Sequence, residues 1–212
     1  ATKVFLMAGQ SNMEGDPNGA ATKTQIPAAA QTMPLQGEWR IRLDPDNAGQ
    51  RDAWQKQVFS DRIRLPGTTD EAGYGEITSG SQGRYLSRIR KYVGPTWYQR
   101  EISIPEAWKD KEVEAVLERV LWESKAWIDD RLCDAHDSLS TPHVHRLGKL
   151  APGNHRLTIR IDNAMIHPIG IMGHCYSEEM QTIWNGILGR MELQAHDPLW
   201  FERQRVFPKN DG

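Results

Sequence analysis

Short segments of alternating polarity fill the chain from Trp39 onward, and they limit the fold more strongly than any other feature. Turn signals separate these segments, such as APGNH, in which Pro152 and Gly153 favour a turn. In LTIRIDN, residues 157 to 163, apolar side chains alternate with polar ones, which is typical of a strand with two different faces. Residues 37 to 195 are therefore predicted to form two packed antiparallel sheets, in an all-β sandwich of the jelly-roll type.

Three segments depart from this pattern. Residues 3 to 8, KVFLMA, predict one buried strand, and residues 16 to 36, rich in Pro, Ala, Thr and Gln, predict a loop or linker. Residues 48 to 61, AGQRDAWQKQVFSD, are the best candidate for a short helix. The predicted organisation is an N-terminal segment and linker over 1–36, a jelly-roll domain over 37–197, and a tail or the start of a further domain over 198–212.

Composition excludes some classes of partner. Hydrophobic residues make up 38% of the chain and charged residues 25%, and the formal net charge of -2 gives no general attraction to nucleic acid or membrane. We recognise no signal peptide and no apolar run long enough to span a membrane. The two cysteines, Cys133 and Cys175, lack metal-ligand spacing, and one disulfide or two free thiols are both compatible with the sequence.

A serine near the start invites a catalytic interpretation. AGQSNM, which contains Ser11, resembles the first block of SGNH-type hydrolases, especially sialate O-acetylesterase-like carbohydrate esterases. In that family the serine is the nucleophile, and a C-terminal Asp-x-x-His supplies the base and its orienting acid. The nearest candidates here are Asp162 and His167 of DNAMIHP, whose spacing is two residues longer. The alternative is that this segment only marks where a strand leaves a sheet, since residues 36 to 200 lack the βα units of an SGNH fold.

A broader resemblance covers roughly three quarters of the chain. Its segments keep their order and spacing, and they resemble the N-terminal sugar-binding domain of glycoside hydrolase family 2, a galactose-binding-domain-like jelly roll. The segments that carry this resemblance are GEW, LPGTTDEAGYG, TWYQREISIPEAW, ERVLWESKAWIDD, DSLSTPHVHRLGKLAPGNHRLTIRIDN and QTIWNGILGRMEL. The final segment, DPLWFERQRVFP, resembles the start of the next domain of such enzymes.

The resemblance also suggests a sugar-contacting loop. In that family a loop just before the closing glycine often reaches the active site, and the matching loop here is HCYSEEMQTIWNG, residues 174 to 186. Carboxylate and amide groups suit sugar hydroxyls, and an indole suits the CH face of a sugar ring. The alternative is that the tryptophan is a core residue and the acids are solvated. The candidate contacts are Glu178, Glu179, Gln181, Trp184 and Asn185.

TPHVH places His143 and His145 on one face of a strand, a spacing that also occurs in zinc and copper sites. His136, His167 or His174 are possible third ligands. A solvated or hydrogen-bonded pair is the favoured interpretation, so we predict no metal and no cofactor.

Three functions remain. The favoured one is a non-catalytic sugar-binding or domain-packing module of a glycan-degrading hydrolase. The second is a carbohydrate O-acetylesterase that uses Ser11, and the third is a structural sandwich without its own ligand. The expected partners are a plant, algal or host carbohydrate and other domains of a larger enzyme, with no nucleic acid and no membrane. A carbohydrate-active protein of this kind is expected to be secreted or periplasmic.

The serine can be tested directly. A serine hydroxyl is a poor nucleophile until a positioned base accepts its proton. We therefore expect the chain to hydrolyse p-nitrophenyl acetate no faster than its Ser11→Ala variant. A serine-dependent burst of acyl-enzyme would instead establish the esterase.

Overall fold

The computed structural model describes residues 30–78, 89–170, 172–173, 183–198 and 200. Within these residues the chain forms thirteen strands and two single 3₁₀ turns, at Trp54–Lys56 and Glu106–Trp108. The strands are β1 (Gln31–Pro34), β2 (Gly37–Leu43), β3 (Asp61–Leu65), β4 (Gly67–Thr68), β5 (Glu76–Ile77), β6 (Arg90–Lys91), β7 (Pro95–Ile104), β8 (Glu112–Arg119), β9 (Glu123–Ile128), β10 (Arg131–His136), β11 (His143–Lys149), β12 (Gly153–Asp162) and β13 (Gly186–His196).

Most strands belong to two antiparallel sheets. One sheet has the order β10-β9-β12-β7-β2-β3. The other has the order β1-β13-β8-β11, and β4 pairs with the start of β13. The short β5 and β6 form a separate two-stranded ribbon.

The longest uninterrupted ladder joins β7 to β12. Ten residue pairs run without a register shift from Pro95 opposite Asp162 to Ile104 opposite Gly153. Both strands have neighbours on their other edges, β2 beside β7 and β9 beside β12. This pair therefore forms the centre of the six-stranded sheet.

One core lies between the two sheets. The apolar positions of β7, β9 and β12 meet those of β8 and β13, and all of these side chains are buried. Trp39 is fully enclosed, and its indole N–H donates to the carbonyl of Leu35 over 2.9 Å. The predicted all-β sandwich is confirmed.

A second apolar cluster covers the outer face of the six-stranded sheet. It consists of Trp54, Phe59, Trp97 and Trp127, with the rings of Trp97 and Trp127 centred 5.0 Å apart. The polar positions Thr158 and Arg160 of β12 lie on this side and are buried as well. Both faces of the central strands are therefore shielded from water, although the alternating sequence predicted one polar face.

The segment 48–61 that covers this face is not the predicted helix. Only one 3₁₀ turn forms, and Ala53 before it is left-handed, with φ of 51°. The carboxylate of Asp44 accepts hydrogen bonds from the backbone N–H of Ala48 (2.7 Å) and of Gly49 (2.9 Å), and from the indole of Trp97 (2.9 Å). These bonds offer the backbone an alternative to helical pairing and fix the loop onto the sheet.

Residues 16 to 36 were predicted as loop or linker, but Gln31–Pro34 form β1. This strand pairs with the last residues of β13, from Gln31 opposite Ala195 to Pro34 opposite Glu192. Leu35, which follows it, is buried in the core. The sandwich thus includes residues before Gly37, whereas the predicted strand at 3–8 lies outside the described residues.

Six of the eight tryptophans are buried, and Trp184 and Trp200 are half-buried. Most tryptophans are therefore core residues. Among the described residues, no helix is both long and apolar enough to cross a membrane.

The central ladder should dominate stability. Ile159 is 0% exposed in β12, whereas Ile77 is 69% exposed in β5. We expect Ile159→Ala to lower the free energy of unfolding by about 2–5 kcal/mol, because it leaves a cavity in the core. Ile77→Ala should change it by no more than about 0.5 kcal/mol. Urea unfolding measures both, and equal losses would contradict the described core.

Candidate functional site

Several loops meet at the end of the sandwich where β12 finishes and β13 begins. Residues 163–170 leave β12, and residues 183–185 lead into β13. The loop before β7 ends beside them at Gly94. This region, called the loop end below, contains the described part of the predicted sugar-contacting segment.

Two buried asparagines hold the loop end together. The side-chain oxygen of Asn185 accepts from the hydroxyl of Tyr98 over 2.8 Å, and its amide nitrogen donates to the carbonyl of Gly94 over 2.9 Å. The side-chain oxygen of Asn163 accepts from the N–H of Gly94 over 2.8 Å, and its amide nitrogen donates to the carbonyl of Tyr92 over 3.1 Å. Burial raises the pKa of the Tyr98 hydroxyl, which keeps it protonated as a donor.

These contacts give Asn185 a structural role. Its side chain is 1% exposed, and both its oxygen and its nitrogen are engaged within the protein. The sequence predicted that Asn185 contacts a sugar, but its side chain is not placed to do so. Its bonds instead fix the point where the loop enters β13.

Trp184 has a different environment. It is half-buried and packs against a small apolar cluster of Leu121, Trp122 and Ile183. Its partial exposure is compatible with the predicted stacking role, which stays a prediction. Glu178, Glu179 and Gln181 lie outside the described residues.

The structure does not form the predicted acid–base pair. The carboxylate of Asp162 accepts from the guanidinium of Arg160 over 2.8 Å and from the N–H of Ala164 over 3.1 Å. His167 instead contacts the carboxylate of Asp137, with 3.1 Å between Nε2 and Oδ2. These separate partners explain both residues without catalysis, and Ser11 lies outside the described residues.

The loop end also exposes apolar side chains that the sequence analysis did not single out. Met165, Ile166, Ile169 and Met172 are each more than 40% exposed, within one stretch after β12. Grouped apolar residues on a surface commonly mark a place where another protein surface packs. The sequence offered no signal for this, because exposure of a loop residue depends on how the loop is folded.

The histidine pair lies at the edge of the sandwich. His143 and His145 in β11 are buried, and both contact the hydroxyl of Ser124, at 2.6 Å from Nδ1 and 2.8 Å from Nε2 respectively. The pair is hydrogen-bonded, as predicted, but it is not solvated. Burial lowers the pKa of His143, and burial together with the neighbouring His136 and His143 lowers that of His145 to about 3.

His136 in β10 completes this cluster. Its ring centre lies 4.8 Å from that of His145, and its Nε2 lies 3.2 Å from the carboxylate of Asp134. Cys133, next to Asp134, carries a free thiol, and Cys175 lies outside the described residues. Ser124 and Asp134 were not predicted, because only the approach of the two sheet edges brings β9 and β10 close to the histidines of β11.

No protein-family model matches the chain. In sequence it is 26% identical over 133 residues to a β-glucuronidase of Paenibacillus borealis and 23% identical over 142 residues to one of Rattus norvegicus. Each match covers 62% of this chain and 21% of the relative. The chain thus spans about a fifth of the length of the curated relatives that it matches.

Solved structures show the same partial likeness. The β-glucuronidase of Ruminococcus gnavus, in complex with D-glucaro 1,5-lactone, superposes with a TM-score of 0.62 at 14% identity, over 79% of this chain and 30% of that one. A β-glucuronidase of an uncultured Clostridium species gives a TM-score of 0.60 at 21% identity, over 80% of this chain and 30% of that one. These likenesses show the fold.

Together the matches agree with the predicted jelly-roll module of a glycan-degrading hydrolase, since the relatives are glycoside hydrolases and the match is to one part of each. They do not support the resemblance of AGQSNM to SGNH-type esterases.

The structural role of Asn185 is testable with a matched variant. Asn185→Ala leaves the Tyr98 hydroxyl and the Gly94 carbonyl without their partner, and we expect a loss of about 1–3 kcal/mol in the free energy of unfolding. Asn154→Ala removes an exposed asparagine of β12 and should have little effect. Urea unfolding compares the two, and equal small effects would show that the asparagine bonds do not stabilise the loop end.

Proposed function

We propose that this chain is a non-catalytic jelly-roll module of a glycan-degrading hydrolase of the β-glucuronidase kind. In this proposal the module packs against the rest of the enzyme through its loop end. The loop that leads into β13 then completes the edge of the sugar-binding site.

The observation that carries this proposal is the agreement between the sequence and structure comparisons. Both align most of this chain with a minor part of β-glucuronidases, between 21% and 30% of their length. A chain that matches only such a part is expected to supply a supporting function and not the whole reaction.

The anchoring of the loop end supports the same proposal. Asn163 and Asn185 fix the loop at its junction with β13, so that Trp184, directly before Asn185, is held on a rigid base. Preorganisation of this kind lowers the entropy lost when a ligand binds. The exposed apolar side chains Met165, Ile169 and Met172 offer a surface for packing against another domain.

The composition of the loop favours sugar hydroxyls over a sugar carboxylate. Glu179 and Gln181 can bond to hydroxyl groups, and the indole of Trp184 can cover the CH face of a ring. The adjacent carboxylates of Glu178 and Glu179 would repel a uronate group placed beside them. We therefore propose that this loop contacts the hydroxyl groups of the sugar.

Such a contact is weak in the isolated chain. Each neutral hydrogen bond contributes only about 0.5–1.5 kcal/mol after water is displaced. One stacked ring and two such bonds give a binding free energy near -4 kcal/mol, which corresponds to a dissociation constant in roughly the millimolar range.

The test is a titration of the ¹⁵N-labelled chain with glucose and with glucuronic acid, followed by NMR. We expect millimolar binding of glucose at least as tight as that of glucuronic acid, with perturbed signals clustered at residues 183–186. Binding of glucuronic acid alone would show that the carboxylate is recognised and would contradict the proposed contact.

A matched pair of variants locates the contact. Trp184→Ala should abolish the perturbations, because it removes the stacking surface. Trp200→Ala removes another half-buried tryptophan, which stacks on His196 at the far end of β13, and should leave them unchanged. Unchanged binding in Trp184→Ala, or perturbations at another face, would reject the proposed loop, and no binding at all would favour a purely structural module.

A further inference from the structure

The cluster of histidines at the edge of the sandwich contains the elements of a metal site. One ligand atom from each of Asp134, His136 and His145 lies within 4.8 Å of the other two. Asp134 and His136 are in β10, at the edge of the six-stranded sheet, and His145 is in β11, at the edge of the other sheet. The three side chains therefore meet where the edges of the two sheets approach each other.

The hydrogen bonds around Ser124 determine which nitrogen of His145 carries a proton. Nε2 of His143 lies 2.8 Å from the carbonyl oxygen of Ser138, which only accepts, so this nitrogen is the donor. In the neutral ring Nδ1 of His143 must then accept, and the hydroxyl proton of Ser124 supplies that bond over 2.6 Å.

Ser124 has only one hydroxyl proton, and it is donated in the hydrogen bond to Nδ1 of His143. Toward His145 the Ser124 oxygen can only accept, so Nε2 of His145 carries the proton of that 2.8 Å contact. Nδ1 of the neutral His145 then carries no proton and presents a lone pair. This atom is fully enclosed and has no hydrogen-bond partner within the described part of the chain, and the side chain of His145 is 0% exposed.

A buried acceptor is unfavourable unless a positive charge or a donor satisfies it. Metal-binding histidines usually donate their second N–H to a neighbouring group, which fixes the tautomer and the orientation of the ring. The hydrogen bond from Nε2–H of His145 to the hydroxyl oxygen of Ser124 is a second-nitrogen bond of this kind. Two imidazoles and one carboxylate are a common protein ligand set for zinc, with water as a fourth ligand.

We propose that Asp134, His136 and His145 bind a zinc ion that joins β10 to β11 across the open edge of the sandwich. The three ligand atoms lie within 4.8 Å of one another, so these side chains can converge on one zinc ion at about 2.0–2.2 Å from each ligand. His136 exchanges its contact with Asp134 for coordination, and Ser124 is a positioning residue that holds His145. This inference is independent of the proposed sugar-binding role.

The experiment uses the purified 212-residue chain without a histidine tag, after treatment with a chelator. Equilibrium dialysis against Zn²⁺ should give one bound ion per chain, and thermal unfolding should shift to higher temperature with zinc because only the folded state holds the site. Ca²⁺, which prefers six to eight oxygen ligands, should produce neither effect. No stoichiometric zinc uptake would overturn the proposal.

Variants show whether the bound ion is at this site. His136→Gln, at a half-buried position that tolerates change, should abolish both the uptake and the thermal shift. His155→Gln removes a histidine of β12 that contacts Asp129, and Cys133→Ser removes the neighbouring thiol, so both should bind zinc as the unmodified chain does. Equal uptake by His136→Gln, or loss of uptake in Cys133→Ser, would place the zinc elsewhere and reject the site.

The role of Ser124 has its own readout. Ser124→Ala, once circular dichroism shows that it is folded, should weaken zinc binding by about 10–100-fold, as is usual for loss of a group that orients a metal ligand. Visible absorption of bound Co²⁺ should also change, since the ring of His145 is no longer held. Unchanged affinity and spectrum would show that Ser124 does not position the ligand.

Discussion

The ten-pair ladder between β7 and β12 is the constraint on which the rest of the fold depends. It lies at the centre of the six-stranded sheet, and both of its faces are buried. The inner face meets the other sheet, and the outer face meets the tryptophan cluster that includes Trp97 and Trp127. Each end of this ladder therefore has a fixed position relative to the whole sandwich.

The loop end is built directly on that ladder. Tyr98 is in β7 and Asn163 follows the last residue of β12, and both bond to groups that hold neighbouring loops. A buried amide is stable only with its partners, so Asn185 must occupy one position before β13. The loop proposed to contact sugar ends at this residue, so its junction with β13 is fixed by the central strands.

Much of the sandwich was predictable, because long strands that pack against a core carry alternating side chains. The segment 157–163 shows this clearly, and it forms the end of β12. Residues 31–34 gave no such signal, because β1 is short and its four residues are Gln, Thr, Met and Pro. The loop 48–61 resembled a helix in composition, but the carboxylate of Asp44 determines its path through contacts that a local pattern does not reveal.

The candidate site was less predictable for a related reason. A sequence identifies chemical groups, but their environment depends on residues far away in the chain. Asn185 was identified correctly as a polar residue before the closing strand, yet its partners Tyr98 and Gly94 give it a structural role. The histidine pair of TPHVH was visible and His136 was named as a possible third ligand, whereas Ser124 and Asp134 join the cluster only through the positions of β9 and β10.

The central claim is that a sugar meets this module at the loop before β13. The most direct measurement is photolabelling of the chain with a glucoside that carries a diazirine, at millimolar concentration, followed by mass spectrometry of the labelled peptides. The account predicts label in the peptide that contains residues 174–186, and its loss when excess unlabelled sugar is present. Label concentrated near His196 at the opposite end of β13, or label insensitive to the competing sugar, would contradict the account.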